Sequence, residues 1–128
     1  LFQFRDDDEA ILDSLNDLLG DIISAENENG SCEVSLSLQG RSFPALMDDK
    51  LQNLIEQAAE NAAPGQHMRM PSGAGHDART ISQILPASMM FIPSIGGVSH
   101  HYTENSSDED IALGARVFVD AVVRILQS

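Results

Sequence analysis

The stretch Met70–Glu104, MPSGAGHDARTISQILPASMMFIPSIGGVSHHYTE, decides how the whole chain is read. It holds two apolar runs that each break into a glycine-rich turn, and three of the four histidines sit in or just after those turns. The pattern predicts strand, turn, helix, strand and loop. In an open α/β sheet, polar groups that follow the carboxyl ends of strands converge on one crevice. His76, Asp77, His100 and Glu104 are therefore candidates to face a common ligand.

Within this stretch, Gly73 and Gly75 flank Ala74, which lets the backbone take positive φ or approach a ligand closely and expose N–H groups as an anion nest. His76-Asp77 has two readings. Either the imidazole donates to a substrate oxygen while the turn amides hold a carboxylate, or Asp77 caps a short helix over Ala78–Leu85 and His76 is a surface turn residue. Further on, Met89–Ile92 is a buried-strand candidate that Pro93 stops. Gly96-Gly97 then opens a loop with Ser99, His100, His101 and Glu104. A neutral loop histidine is a good metal ligand when its second nitrogen is oriented by a carboxylate or carbonyl. Spacing alone favours an ordinary hydrogen-bonded loop histidine, because metal sites in hydrolases need three or more protein ligands and the chain has no HExxH, CxxC or His-x-Asp pattern.

On the amino-terminal side, Leu1–Arg5 alternates as a strand with Phe2 and Phe4 on one face. Asp6, Asp7, Asp8 and Glu9 suit the first turn of a helix, whose unpaired N–H groups favour negative charge. That helix carries an apolar stripe of Ile11, Leu12, Leu15, Leu18, Leu19, Ile22 and Ile23. Glu26–Ser31 ends it, and Cys32–Gln39 alternates as a half-buried strand. Residues 1–39 thus predict a strand, helix, strand unit in an antiparallel sheet covered by helices on one face. Gly40–Pro44 is a linker. Met47–Ala62 predicts a second amphipathic helix closed by Pro64-Gly65, and His67–Met70 a short strand. Ser106 and Glu109 have the spacing of a capping box for a last helix, with Ile111, Ala115, Phe118, Val122 and Leu126 as its core-facing row.

The 128 residues match the size of one domain, and 42% of them are hydrophobic, enough for a core. The chain opens at Leu1 inside an alternating stretch without an initiator methionine, which suggests a piece of a longer polypeptide. Seven basic against twenty acidic residues give a net charge of −13, the wrong sign for a nucleic-acid or anionic-membrane partner. Cys32 is alone and fits a reducing compartment. No apolar run approaches the roughly 20 residues that span a bilayer, so the expectation is a soluble, cytoplasmic chain.

Two motifs in order carry a resemblance. Ser72-Gly73-Ala74-Gly75-His76-Asp77-Ala78, followed by Met90-Phe91-Ile92-Pro93-Ser94-Ile95-Gly96-Gly97-Val98-Ser99-His100 and Glu104, resembles the carboxyl-terminal signature of the N-carbamoyl-L-amino-acid hydrolase and allantoate amidohydrolase family. Ser106, Glu109, Asp110 and Gly114 also fit. The resemblance implies an α/β fold: residues 1–40 as the second half of a ferredoxin-like lid and dimerisation domain, and 44–128 as the carboxyl-terminal part of a zinc-aminopeptidase-like metal-binding domain. It implies that His100 is a metal ligand and that His76 acts in catalysis. Gly73, Ala74 and Gly75 would line the substrate pocket, with Asp77 and Glu104 in supporting roles. His101 varies in type within the pattern and keeps an ordinary role.

Arg5 falls on the family's lid arginine, which reaches the substrate carboxylate in the partner subunit's site; a planar, permanently charged fork suits that task. Gln3 stands where the family has an acidic residue. Family members use two divalent ions, zinc or manganese, cobalt or nickel, to activate water. The implied function is hydrolysis of the carbamoyl or ureido C–N bond of a small carboxylate-bearing substrate, by a homodimer paired through the lid. One histidine cannot hold two ions, so the chain by itself is expected to be inactive and not to retain the metals. The alternative is a stand-alone, non-catalytic dimerisation or interaction module pairing through an exposed edge strand.

Overall fold

The computed structural model describes residues 2–128; Leu1, the first residue of the predicted opening strand, lies outside the described residues. The described residues form four α-helices, α1 (Glu9–Asn29), α2 (Asp49–Ala62), α3 (Asp77–Ile81) and α4 (Asp108–Gln127), and one 3-10 turn at Ile95–Gly97. They divide into two compact units. One is Leu1–Ala45 with Pro71–Gly75, and the other is Leu46–Met70 with His76–Ser128.

In the first unit, α1 begins at Glu9, the last residue of the acidic cluster, so Asp6, Asp7 and Asp8 precede the first turn instead of filling it. Asp8 is the N-cap, its carboxylate accepting the Ala10 N–H at 2.8 Å, and Glu9 lies in the first turn. The apolar stripe splits in two. Leu12, Leu15, Leu19 and Ile23 are half-buried, whereas Ile11, Leu18 and Ile22 are exposed, and α1 buries no residue fully. Arg41 holds the helix start to the following segment through Asp13 at 2.5 Å and Glu9 at 3.4 Å.

The expected strands form no β-ladder among the described residues, at 2–5, 32–39, 67–70 or 89–92. Alternation predicts which side chains would share a face. It does not supply the neighbouring strand whose N–H and C=O groups make a ladder. At Val34 a side chain takes that place, since the Asn27 amide donates to the Val34 carbonyl at 2.8 Å and accepts the Val34 N–H at 2.7 Å.

In the second unit, α2 and α4 pack on each other around Ala58, Val117 and Ala121, with Ile55, Ala59, Met90 and Leu113 beside them. Small side chains let the two backbones approach. The buried row of α4 is Gly114, Val117 and Ala121; the predicted row was rotated, and Ile111, Phe118 and Leu126 are exposed. Gly114 is required by close approach: a Cβ there would collide with the Ile92 side chain. Asp48 caps α2 by accepting from Leu51 N–H at 2.8 Å, and its own N–H donates to the Ala87 carbonyl.

The start of α4 differs from the predicted box by one residue. Ser107 is the N-cap, accepting from Asp110 N–H at 3.1 Å and donating its hydroxyl to the Asp110 carboxylate at 2.6 Å. Ser106 instead donates to the Pro93 carbonyl at 2.8 Å. No helix among the described residues is long and apolar enough to cross a membrane.

Candidate active site

The loop between Pro93 and α4 is tied at its base. Ile95 N–H donates to the Asn105 carbonyl at 2.7 Å, next to the Ser106 to Pro93 bond. Between these ties the backbone enters the left-handed region at Gly96 (φ 69°), Gly97 (φ 68°) and His100 (φ 55°). The two glycines adopt it without steric cost. His100 is the one non-glycine residue among those described that does so, and its Cβ makes that conformation unfavourable.

Two contacts close the turn that follows. The Glu104 carboxylate accepts the His100 N–H at 2.7 Å, and Glu104 N–H donates to the His101 carbonyl at 2.9 Å. His101 is engaged locally, its Nδ1 2.8 Å from the Thr103 hydroxyl and its ring 4.2 Å from that of Tyr102. His100 is exposed, and among the described residues no hydrogen bond engages its ring.

His76, half-buried, is the N-cap residue of α3 without a side-chain cap bond, and its ring lies tilted against Phe91, centroids 5.5 Å apart. Asp77 is the first helical residue, so it contributes a charge to the first turn and is not the cap. His76, Asp77, His100 and Glu104 all belong to the second unit. Arg5, Gly73, Ala74 and Gly75 belong to the first. There the structure brings two expected site residues together, for Arg5 Nη1 donates to the Gly73 carbonyl at 2.5 Å while Nη2 reaches the Gln3 side-chain oxygen at 3.3 Å.

A metal centre needs several converging ligands. His100 fits as one: an exposed imidazole on a turn fixed by hydrogen bonds. Among the described residues no group of three or more His, Cys, Asp or Glu side chains could hold an ion, so these residues fit a share of a metal centre and not the whole of one.

The sequence reading singled out no chemistry at His67, yet the second unit gathers a charged cluster there. Arg69 donates to Glu56 at 2.6 and 3.1 Å and to Asn53 at 2.6 Å. The His67 nitrogens lie 3.8 Å from Glu56 and 3.5 Å from Glu60, near enough for charge attraction but outside hydrogen-bond geometry at the buried Nδ1. The i, i+4 spacing of Glu56 and Glu60 ahead of His67 and Arg69 was the available signal. Arg69 beside Glu56, first through its hydrogen bond and then through its charge, holds that carboxyl below its ordinary value; burial opposes this and His67 adds to it.

The profile of peptidase family M20/M25/M40 matches residues 8–124. The chain belongs to that family. This M20 chain is 38% identical over 89 residues to an N-carbamoyl-L-amino-acid amidohydrolase of Rhizobium meliloti, covering 70% of the chain and 21% of that protein. It is 40% identical over 86 residues to an allantoate amidohydrolase of Bacillus subtilis, covering 66% and 20% respectively. Its fold is similar to the crystal structure of an amidase of the hydantoinase/carbamoylase family from Burkholderia phymatum. The TM-score is 0.85 at 36% identity, over 94% of this chain and 28% of that one. The M20 chain therefore spans between 20% and 28% of the length of these three proteins.

Proposed function

We propose that this chain is part of a metal-dependent M20 amidohydrolase that cleaves the carbamoyl or ureido C–N bond of an N-carbamoyl amino acid or an allantoate-like substrate. The observation that carries the reading is the agreement between a fold match to an amidase over nearly the whole chain and sequence matches to two enzymes named for such substrates. In this reading residues 1–40 are half of a lid and dimerisation domain, and 44–128 are part of an α/β metal-binding domain. Strand partners for the alternating segments come from the rest of the protein. The working form is a cytoplasmic homodimer.

For an N-carbamoyl amino acid, water adds to the carbamoyl carbonyl and the C–N bond to the α-nitrogen breaks, the α-nitrogen taking up a proton; the carbamic acid released then splits its own C–N bond to give carbon dioxide and ammonia. A pair of divalent ions, zinc or manganese, cobalt or nickel, supplies the positive charge that makes water nucleophilic near neutral pH. His100 holds one of them, with the remaining ligands outside these residues. Arg5 offers its planar fork to the substrate carboxylate in the partner subunit's site, in exchange for the Gly73 carbonyl to which it now donates. The Gly73–Gly75 backbone lines the pocket because the small residues let substrate approach. The His76 imidazole, braced by Phe91, donates to a substrate oxygen. Asp77 and Glu104 orient their neighbours.

The test is a panel of N-carbamoyl amino acids, N-carbamoyl-β-alanine and allantoate offered to the full-length, metal-loaded protein. Turnover of at least one, lost by more than about 100-fold in His100→Ala, is the expected result. A full-length protein that binds metal and hydrolyses none of these would overturn the assignment. A second reading, a non-catalytic interaction module, draws on the exposed Ile11, Leu18 and Ile22 face of α1; the same panel separates the two.

A further inference from the structure

We propose that Glu104 is a positioning residue. By accepting the His100 backbone N–H, its carboxylate holds residue 100 in the left-handed conformation from which the imidazole is presented to the metal. The idea rests on the reading of His100 as a ligand and deepens it.

The loop contains three left-handed residues, two of them glycines for which no restraint is needed. The third must be histidine to serve as a ligand, so a glycine cannot relieve the strain there, and something outside the residue has to hold it. Glu104 is placed to do this. Its carboxylate lies 2.7 Å from the His100 nitrogen, while its own N–H, donated to the His101 carbonyl, closes the turn from the other side. The base of the loop is fixed independently by the Ile95 to Asn105 and Ser106 to Pro93 bonds. Glu104 therefore controls the direction of one side chain rather than the existence of the loop.

The same contacts sort the two adjacent histidines. His101 is bonded to Thr103 and set against Tyr102, which leaves the His100 ring available. An anionic acceptor four residues beyond a left-handed histidine selects which of the pair is the ligand.

The experiment uses the full-length protein. Metal affinity is measured by competition with a chelator, and ligand geometry by the visible spectrum of the cobalt-loaded form. The residue 100 amide proton is followed by NMR in the metal-free protein. His100→Ala is expected to weaken metal binding most. Glu104→Ala should weaken it about 10- to 100-fold, change the cobalt spectrum, move the residue 100 amide upfield and leave the melting temperature close to wild type. Glu104→Gln, which keeps a carbonyl acceptor at the same reach, should restore most of the affinity, and His101→Ala should bind metal as wild type does. If Glu104→Ala does not fold, Glu104→Asp, one methylene short, carries the same comparison.

Wild-type affinity and spectrum in Glu104→Ala, with metal lost in His100→Ala, would sink the positioning role and leave the ligand intact. Wild-type affinity in His100→Ala would sink the ligand reading itself. A loss in His101→Ala equal to that in His100→Ala would overturn the sorting of the two histidines.

Discussion

At the scale of single residues, the structure shows carboxylates doing different things in one acidic chain. Glu104 offsets backbone strain. A non-glycine residue in the left-handed region costs about 1–2 kcal/mol, and a hydrogen bond to a charged group contributes about 1.5–3 kcal/mol before the discount for an exposed site. The two are comparable, so the strained residue is held at little net cost. Glu56 shows the other use. Its carboxyl is more acidic in the folded chain than the ordinary 4.5 because Arg69 bonds and faces it. A group with a lowered folded pKa contributes stability above its ordinary value, and loses it as pH falls through the lowered one. Glu56→Gln should therefore lower the melting temperature slightly at pH 7, where the contribution is fully present, and converge with wild type as pH falls, so that the acid limb below about pH 5 is flatter in the variant. Superimposable acid limbs for variant and wild type would show that the Arg69 pairing has no such role.

At the scale of elements, helices were legible where periodicity and caps agreed. The acidic run that ends at Glu9 lies at the start of α1, and Pro64-Gly65 after α2 marks an end that the structure keeps. The start of α4 was ambiguous in the sequence itself, because Ser106 and Ser107 each precede an acid by three residues. The choice is made by a tertiary contact, the Pro93 carbonyl that takes the Ser106 hydroxyl. The rotated face of α4 has a similar cause. Its bulky residues are plentiful on one side, yet the small Gly114, Val117 and Ala121 side meets α2, since close helix approach favours low volume. This makes Gly114 a sensitive position. Gly114→Ala should destabilise the chain by about 1–3 kcal/mol through overpacking against Ile92. The penalty should shrink in an Ile92→Leu background, which removes the β-branch methyl that the new Cβ would meet. A urea-denaturation double-mutant cycle measures this, and zero coupling would mean that Ile92 is not the obstacle.

At the scale of the whole molecule, the candidate site was legible as two motifs in order but not as a geometry. Sequence placed His100 and Glu104 in one loop; it could not say that a left-handed turn and a 2.7 Å bond join them. It placed alternating segments, but ladders depend on partners that pattern does not name. A further expectation concerns the 128 residues alone. With no group of three ligands among those described, the isolated chain should bind zinc no more tightly than a lone surface histidine does and should not hydrolyse the substrate panel. Isothermal titration and an ammonia-release assay check both, and stoichiometric binding of two ions would refute the account. Asn27 carries one last consequence. Both halves of its amide are committed to Val34, the N–H₂ as donor and the C=O as acceptor. Hydrolysis of that amide to a carboxylate would set one oxygen against the Val34 carbonyl, turning that contact from attraction into repulsion, while the other oxygen would still accept the Val34 N–H, so half of the hold on this segment depends on the nitrogen of one side chain.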